Sequence, residues 1–253
     1  RAGNGVILIT TKTGRSNSGL GISYSATTGF QSIFTQPELQ SNFGQGSVGA
    51  YDEYSQSSWG PEIAGQTETG PEQGSVVFDK AYDNIGNYYN SGFSQNHSIS
   101  FQNQTDNGSY YTSASYLDDE GISPTATLER LNLTARGVSN FGKNKNWTVD
   151  TKVQYNKTTA NNRPRTGFGA LSQYQTIINF PRSRDITDYE DGVDEFGNQV
   201  WFDPNSSQIN PYWANKRRLS YDSRDRFIVT GTLKHQFNEW LRAEVRAGAD
   251  LYT

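Results

Sequence analysis

The sequence predicts an all-β fold, an antiparallel transmembrane β-barrel, on three observations. Seven stretches alternate apolar and polar residues with period two, which sends the two sets to opposite sheet faces. Their connections alternate in length: links of about five residues or fewer, at 105–108, 142–146 and 238–239, take turns with excursions of up to roughly sixty. No apolar run approaches the roughly 18 residues that a membrane helix requires; the longest is the short run 6–9. Tight turns at one end of a sheet and large loops at the other are the pattern of an outer-membrane barrel.

The elements follow in order. Residues 5–11 read as a short apolar strand buried on both faces. In the first alternating strand Leu20, Ile22, Tyr24, Ala26 and Phe30 share one parity, against Ser23, Ser25, Thr27 and Gln31. A long excursion at about 35–92, rich in Gly, Ser, Gln, Tyr and Asp, precedes a second strand over 93–102. Asp106-Asn107-Gly108 is a hairpin signal. Tyr110, Thr112, Ala114 and Tyr116 form the third apolar face, and a brief link through Gly121 and Pro124 leads to Leu131, Leu133 and Ala135 on the fourth. Beyond the 142–145 turn, Trp147, Val149, Thr151, Val153 and Tyr155 oppose Asp150, Lys152 and Gln154. The second long excursion, about 159–222, holds half of the prolines, which suits loop and not ladder. From Phe227 to Phe237 the alternation spans ten intervals of about 3.3 Å, or about 25 Å of height at a tilt near 40°. Residues 239–251 are rich in helix formers, but Arg242, Glu244, Arg246 and Asp250 share one parity and Leu241, Ala243, Val245, Ala247, Ala249 and Leu251 the other; a strand is expected. Lys152, Gln154, Lys234, Arg242 and Arg246 are then expected to face the lumen, and Val149, Val153, Val229, Leu233 and Val245 the lipid.

Composition agrees with this. Only 33% of the residues are hydrophobic and the mean hydropathy is −0.78, low for a sealed core but natural where every second strand residue meets lipid. Fifteen Tyr, thirteen Phe and five Trp oppose disorder. With no cysteine there is no disulfide or thiolate metal site. A net charge of −4 offers no basic footprint for nucleic acid. The chain lacks methionine even at position 1 and ends inside an alternating stretch, so it reads as a piece of something larger.

Enzymatic chemistry finds little support. His97 and His235 share parity with apolar strand neighbours. The carboxylates at 118–120 and 188–195 read as solvated loop, and the second run fails EF-hand spacing; no cofactor is expected, with a loose loop calcium as the one candidate. Trp59, Trp201, Phe202, Tyr212 and Trp213 fall in the long excursions. Trp59, Trp201, Tyr212 and Trp213 are the candidate contacts for cargo or a partner protein, with loop packing as the competing role. A soluble β-sandwich would need no aromatic bands at matched heights, and a passive porin would have no use for the 5–11 strand.

The run RAGNGVILITTKTG at 1–14 resembles the end of the plug domain in the SusC/RagA family of TonB-dependent outer-membrane transporters. Gly3 and Thr13 stand where that family commonly has Ala and Lys. Phe43-Gly44-Gln45-Gly46 with Ser57-Ser58-Trp59-Gly60-Pro61 is similar to its first long loop; Asn96 to Ser100, Tyr111 to Tyr116, Asp119 to Pro124 and Arg130-Leu131-Asn132 are similar to its second to fourth strands. Arg163-Pro164 and Asn210-Pro211-Tyr212-Trp213 add to the set. The resemblance implies a plug end at 1–14 and, at 15–253, about the first seven strands of a barrel of about 22. It also implies active import of a large nutrient, an oligosaccharide or peptide, with a SusD-like lid lipoprotein and TonB as partners. An outer-membrane structural or secretion-associated component is the alternative role.

Overall fold

The computed structural model describes residues 12–15, 20–72, 74–165, 167, 169 and 172–253. The expected 5–11 strand lies outside the described residues. The described residues form nine strands: β1 (Ile22–Gln31), β2 (Gln66–Gly70), β3 (Gly74–Phe78), β4 (Gly92–Thr105), β5 (Gly108–Glu120), β6 (Thr127–Phe141), β7 (Trp147–Asn161), β8 (Tyr221–Gln236) and β9 (Arg242–Tyr252). Seven of them form one antiparallel sheet in the order β1-β4-β5-β6-β7-β8-β9, open at both edges, while β2 and β3 make a separate hairpin. All seven expected barrel strands are present, and 242–252 is strand and not helix.

Residues directly opposite each other in an antiparallel pair share a face, so the register sorts the whole sheet. The row Ala135–Val153–Val229–Ala249 lies on one face and the row Thr134–Gln154–Ile228–Asp250 on the other. On the apolar face, Phe141, Trp147, His235 and Phe237 stack in sequence near the tight turns, with Trp147 and His235 ring centroids 3.9 Å apart. Towards the loops, Phe30 meets Phe93, and Tyr155 meets Phe227 at 4.7 Å. Phe227, Val229, Leu233, Val245 and Leu251 are exposed. Among the described residues, therefore, no protein layer covers the apolar face of the sheet.

The strands run further towards the loops than the alternation alone shows. β7 reaches Asn161 and β8 starts at Tyr221, where the expected loop was 159–222. Beyond the Tyr155–Phe227 row both faces are polar, as in Lys157 opposite Asp225, so the period-two signal fades while the ladder continues.

The three tight turns share one end of the sheet, and Lys145 Nζ donates to Asp106 O at 2.5 Å to join two of them. In the Asp106-Asn107-Gly108 turn the glycine serves close approach. A Cβ at Gly108 would stand 2.1 Å from Val138 O on β6, while Asp106 and Asn107 both keep negative φ.

At the other end the 32–91 and 162–220 loops hold the hydrophobic core. Ile85, Tyr88, Ile177, Phe180, Ile186, Trp201, Phe202 and Tyr212 form one buried cluster. Three short helices shape it: α1 (Asn84–Tyr88), capped by Asp83, α2 (Gln173–Ile178), capped by Ser172, and α3 (Pro211–Arg217), capped by Asn210. Asn210 is fully buried; its Oδ1 accepts from Tyr212 N and its Nδ2 donates to Tyr189 O and Val200 O. Pro211 at the first helical turn gives up no needed N–H. The two segments 43–46 and 57–61 pair through Gly44 N to Pro61 O at 2.9 Å and Trp59 N to Gly46 O at 3.1 Å. Gly60 permits that approach, since a Cβ there would meet Gln45 O at 2.2 Å.

Candidate functional site

The site has two parts, the polar face of the sheet and the cleft where that face meets the loops. On the polar face, charges are laid out in cross-strand pairs. Arg136 on β6 grips Asp150 on β7 with two bonds, Nε to Oδ1 at 2.9 Å and Nη2 to Oδ2 at 2.6 Å. Arg226 on β8 makes the same fork with Asp250 on β9, at 2.8 and 2.5 Å. Lys234 lies opposite Glu244 at 3.2 Å, and Arg246 reaches Glu244 at 3.0 Å and Thr232 Oγ1 at 3.3 Å. Such a face suits water and not hydrocarbon, in which each basic group would cost about 2–4 kcal/mol at mid-depth.

Lys152, Gln154, Lys234, Arg242 and Arg246 all fall on this face by register. Val149, Val153, Val229, Leu233 and Val245 fall on the other. Arg136 Nη1 also donates to Lys12 O at 3.2 Å, so the chain at residue 12 lies over the polar face. Gly14 is buried at the turn end, close enough to β4 and β5 that a Cβ would meet Asn103 O and Tyr110 O at 2.4 Å.

At the loop end the face opens into a cleft of 460 Å³, floored by Ile122, Leu128, Ala160 and Pro164 and flanked by Arg130, Arg163, Asp119 and Gln31. Gln31 donates to Asp119 at 3.3 Å. Arg163, paired with Asp222 at 3.1 Å, also borders a second cleft of 350 Å³ that Arg165 and Arg218 share. Asn162, held at φ +46°, donates to Thr125 Oγ1 and exchanges bonds with Ser220, which pins both ends of the 162–220 loop together. A polar chain forms the wall behind: Ser123 donates to Gln173 at 2.7 Å, Gln173 to Asn215 at 2.5 Å, and Asn215 to the Tyr88 hydroxyl at 2.9 Å. Three loop-end connections are thereby joined.

The four aromatic candidates separate. Trp201 and Tyr212 are each only 7% exposed and belong to the loop core, so neither ring offers a face to a ligand. Their burial comes from partners far away in sequence, such as Tyr88 against Tyr212 and Phe180 against Trp201. Burial pushes the Tyr212 hydroxyl up to about 12, with the carboxylates of Glu190 and Asp185 adding to it. Trp59 is exposed beside Phe43, and half-buried Trp213 donates its indole N–H to Gly197 O at 3.2 Å. Arg130 and Arg163, which the sequence marks only as points of resemblance, are brought to one cleft by strand register and loop closure, while Arg218 lines the neighbouring cleft.

In the acidic run, Asp194 accepts from Phe196 N, Asn198 N and Asn198 Nδ2, and the bond from the Asn198 side chain leads in holding its carboxyl below the usual range. Lys216 Nζ donates to Glu190 O at 2.8 Å. Among the described residues no three His, Cys, Asp or Glu side chains converge as metal ligands, and no helix is long and apolar enough to cross a membrane.

No family model matches the chain, and neither does any curated protein. Solved structures do. The chain is similar to the RagAB peptide importer in its closed-closed state at 19% identity with a TM-score of 0.68, and in its open-open state at 21% and 0.65. It is similar to the RagAB peptide transporter at 20% and 0.68. Each likeness covers all of this chain and 30% of the other chain. The chain thus shares the fold of part of these importers and spans 30% of their length; none of the three is described as an enzyme.

Proposed function

We propose that this chain is the first part of the barrel of an outer-membrane importer, with a plug ending at residues 1–14 and the barrel wall starting at 15–253. The observation that carries the reading is the predominant segregation of the seven-stranded sheet into an apolar and a polar face. One face is apolar, with aromatic rings at two heights; the other is ion-paired and polar. A sheet buried between protein layers needs no such division, whereas a wall between lipid and a wet lumen does. The Arg136 contact to Lys12 O supports a plug seated against the polar face.

In this reading the loop end lies outside the cell and the tight turns lie in the periplasm. The outer membrane holds no ATP, so a plugged pore takes its energy through the periplasm, from TonB. The loop layer meets a SusD-like lipoprotein, with exposed Trp59 and half-buried Trp213 as its contacts or the cargo's. Of the two cargo classes, peptide is favoured, because the proteins that share the fold are peptide importers. The test is a deletion of the full-length gene. Growth should fail on a peptide nutrient and persist on its free amino acids. Unchanged growth, with unchanged peptide binding at the cell surface, would refute the reading.

A further inference from the structure

A pair of apolar residues interrupts the polar face at its loop end. Leu128 on β6 lies directly opposite Ala160 on β7, and by register both belong to the face that carries Arg136, Asp150 and Gln154. Ile122 from the β5–β6 link and Pro164 from the 162–220 loop join them as the floor of the 460 Å³ cleft. Ile122 is held from both sides. Its carbonyl accepts from Asn90 N at 2.8 Å, and the next residue, buried Ser123, donates to Gln173 at 2.7 Å. The floor is therefore in place before any ligand arrives.

The charges round this floor cancel. Arg163 is paired with Asp222, which lies opposite Ala160, and Arg130 shares the rim with Asp119. A balanced rim over an aliphatic floor suits a neutral apolar group and not an ion. We infer that the cleft is a side-chain subsite: it takes one aliphatic side chain of a peptide on Ile122, Leu128 and Pro164, while Asp119 and Arg130 meet the flanking peptide units. An ionised carboxylate only accepts hydrogen bonds and a guanidinium only donates them, so the rim answers both the N–H and the C=O of an extended chain. The volume lies within the roughly 300–1,000 Å³ of small-ligand sites, enough for a side chain with its adjoining peptide units and too little for a folded partner. A neutral glycan would set hydroxyls against Ile122 and Leu128 and lose their hydration without a partner, whereas an aliphatic side chain gains by leaving water.

This inference rests on the importer reading, and the experiment separates the two. The full-length protein is purified in detergent and titrated with fluorescently labelled alanine pentapeptides whose central residue is leucine or its near-isostere asparagine. The leucine peptide should bind about tenfold or more tightly, the worth of burying one such side chain. Leu128→Asn should remove that preference. Pro164→Asn, at an exposed loop position outside the strand ladder, should reduce it without threatening the fold. Equal binding of the two peptides by the wild type, or a preference that both variants retain in full, would overturn the subsite and leave peptide import standing. Binding of neither peptide, with binding of a neutral maltodextrin instead, would overturn the peptide reading itself.

Discussion

Gly231 offers a clean test of which face meets lipid. It lies on the apolar face in the row Thr151–Gly231–Ala247, four residues from the Trp147–His235 row and four from the Tyr155–Phe227 row. Eight intervals of about 3.3 Å at a tilt near 40° separate those aromatic rows by about 20 Å of height, so Gly231 stands midway. A Cβ built there meets nothing within 4 Å, so a side chain can be added without displacing protein atoms. Gly231→Val should then be neutral or stabilise by about 0.5–1 kcal/mol, because glycine loses the most freedom in a strand. Gly231→Arg should cost about 2–4 kcal/mol, the burden of a basic group at the bilayer midplane. Ser223→Arg, on the same face but beyond the Tyr155–Phe227 row, should cost at most about 1 kcal/mol. Ile228→Arg, on the polar face opposite Asp250, should be tolerated. Urea titration of the full-length protein folded into vesicles gives each difference from the shift in midpoint. If Gly231→Arg and Gly231→Val titrate alike, the apolar face does not meet lipid and the assignment of both faces fails.

Topology can be read by labelling: in intact cells a cysteine at Asn205 should react with an impermeant maleimide and one at Asn144 should not, and the opposite pattern would invert the orientation. Asn210→Ala removes the α3 cap together with two bonds to buried carbonyls, so the loop layer should lose about 1–3 kcal/mol; trypsin should then cut at 216–218 while heat-modifiability of the barrel on gels stays unchanged, and undiminished trypsin resistance would contradict it. Burial raises the hydroxyls of Tyr88, Tyr189 and Tyr212, the last to about 12. An unfolded phenol ionises near about 10, so above that pH the unfolded chain releases protons that the folded one keeps, and stability falls as pH rises. Phenolate absorbance from the loop core should appear only together with a change in Trp201 fluorescence; ionisation near pH 10 without that change would show the core to be open.

What the sequence discloses and what it hides follow one physical line. Between the two aromatic rows successive strand residues fall on an apolar or a polar face, so the alternation from Trp147 to Tyr155 is sharp and the strands are plain. Past Tyr155 both faces are polar, and the ladder continues unseen to Asn161. The β2–β3 hairpin and the three short helices escape for another reason: five to seven residues are too few for a periodicity to declare itself. Trp201 and Tyr212 could not be told from ligand-binding aromatics, because what buries them is Phe180 and Tyr88, the latter from the other loop.

The location of the core completes the argument. Among the described residues the sheet has no protein layer on its apolar face and a polar opposite face, so it has no interior of its own, and the loop layer must bury its own apolar surface to hold a shape. It does so with a cluster drawn from both long loops, and the Ser123–Gln173–Asn215–Tyr88 chain fastens that cluster to the short β5–β6 link. Arg130 on the sheet and Arg163 on the loop stand at a seam of this assembly, on either side of one cleft. Any shift of the loop layer against the sheet therefore changes the shape of that cleft. Packing of both long loops into one buried cluster is what gives the cleft above the polar face a defined shape.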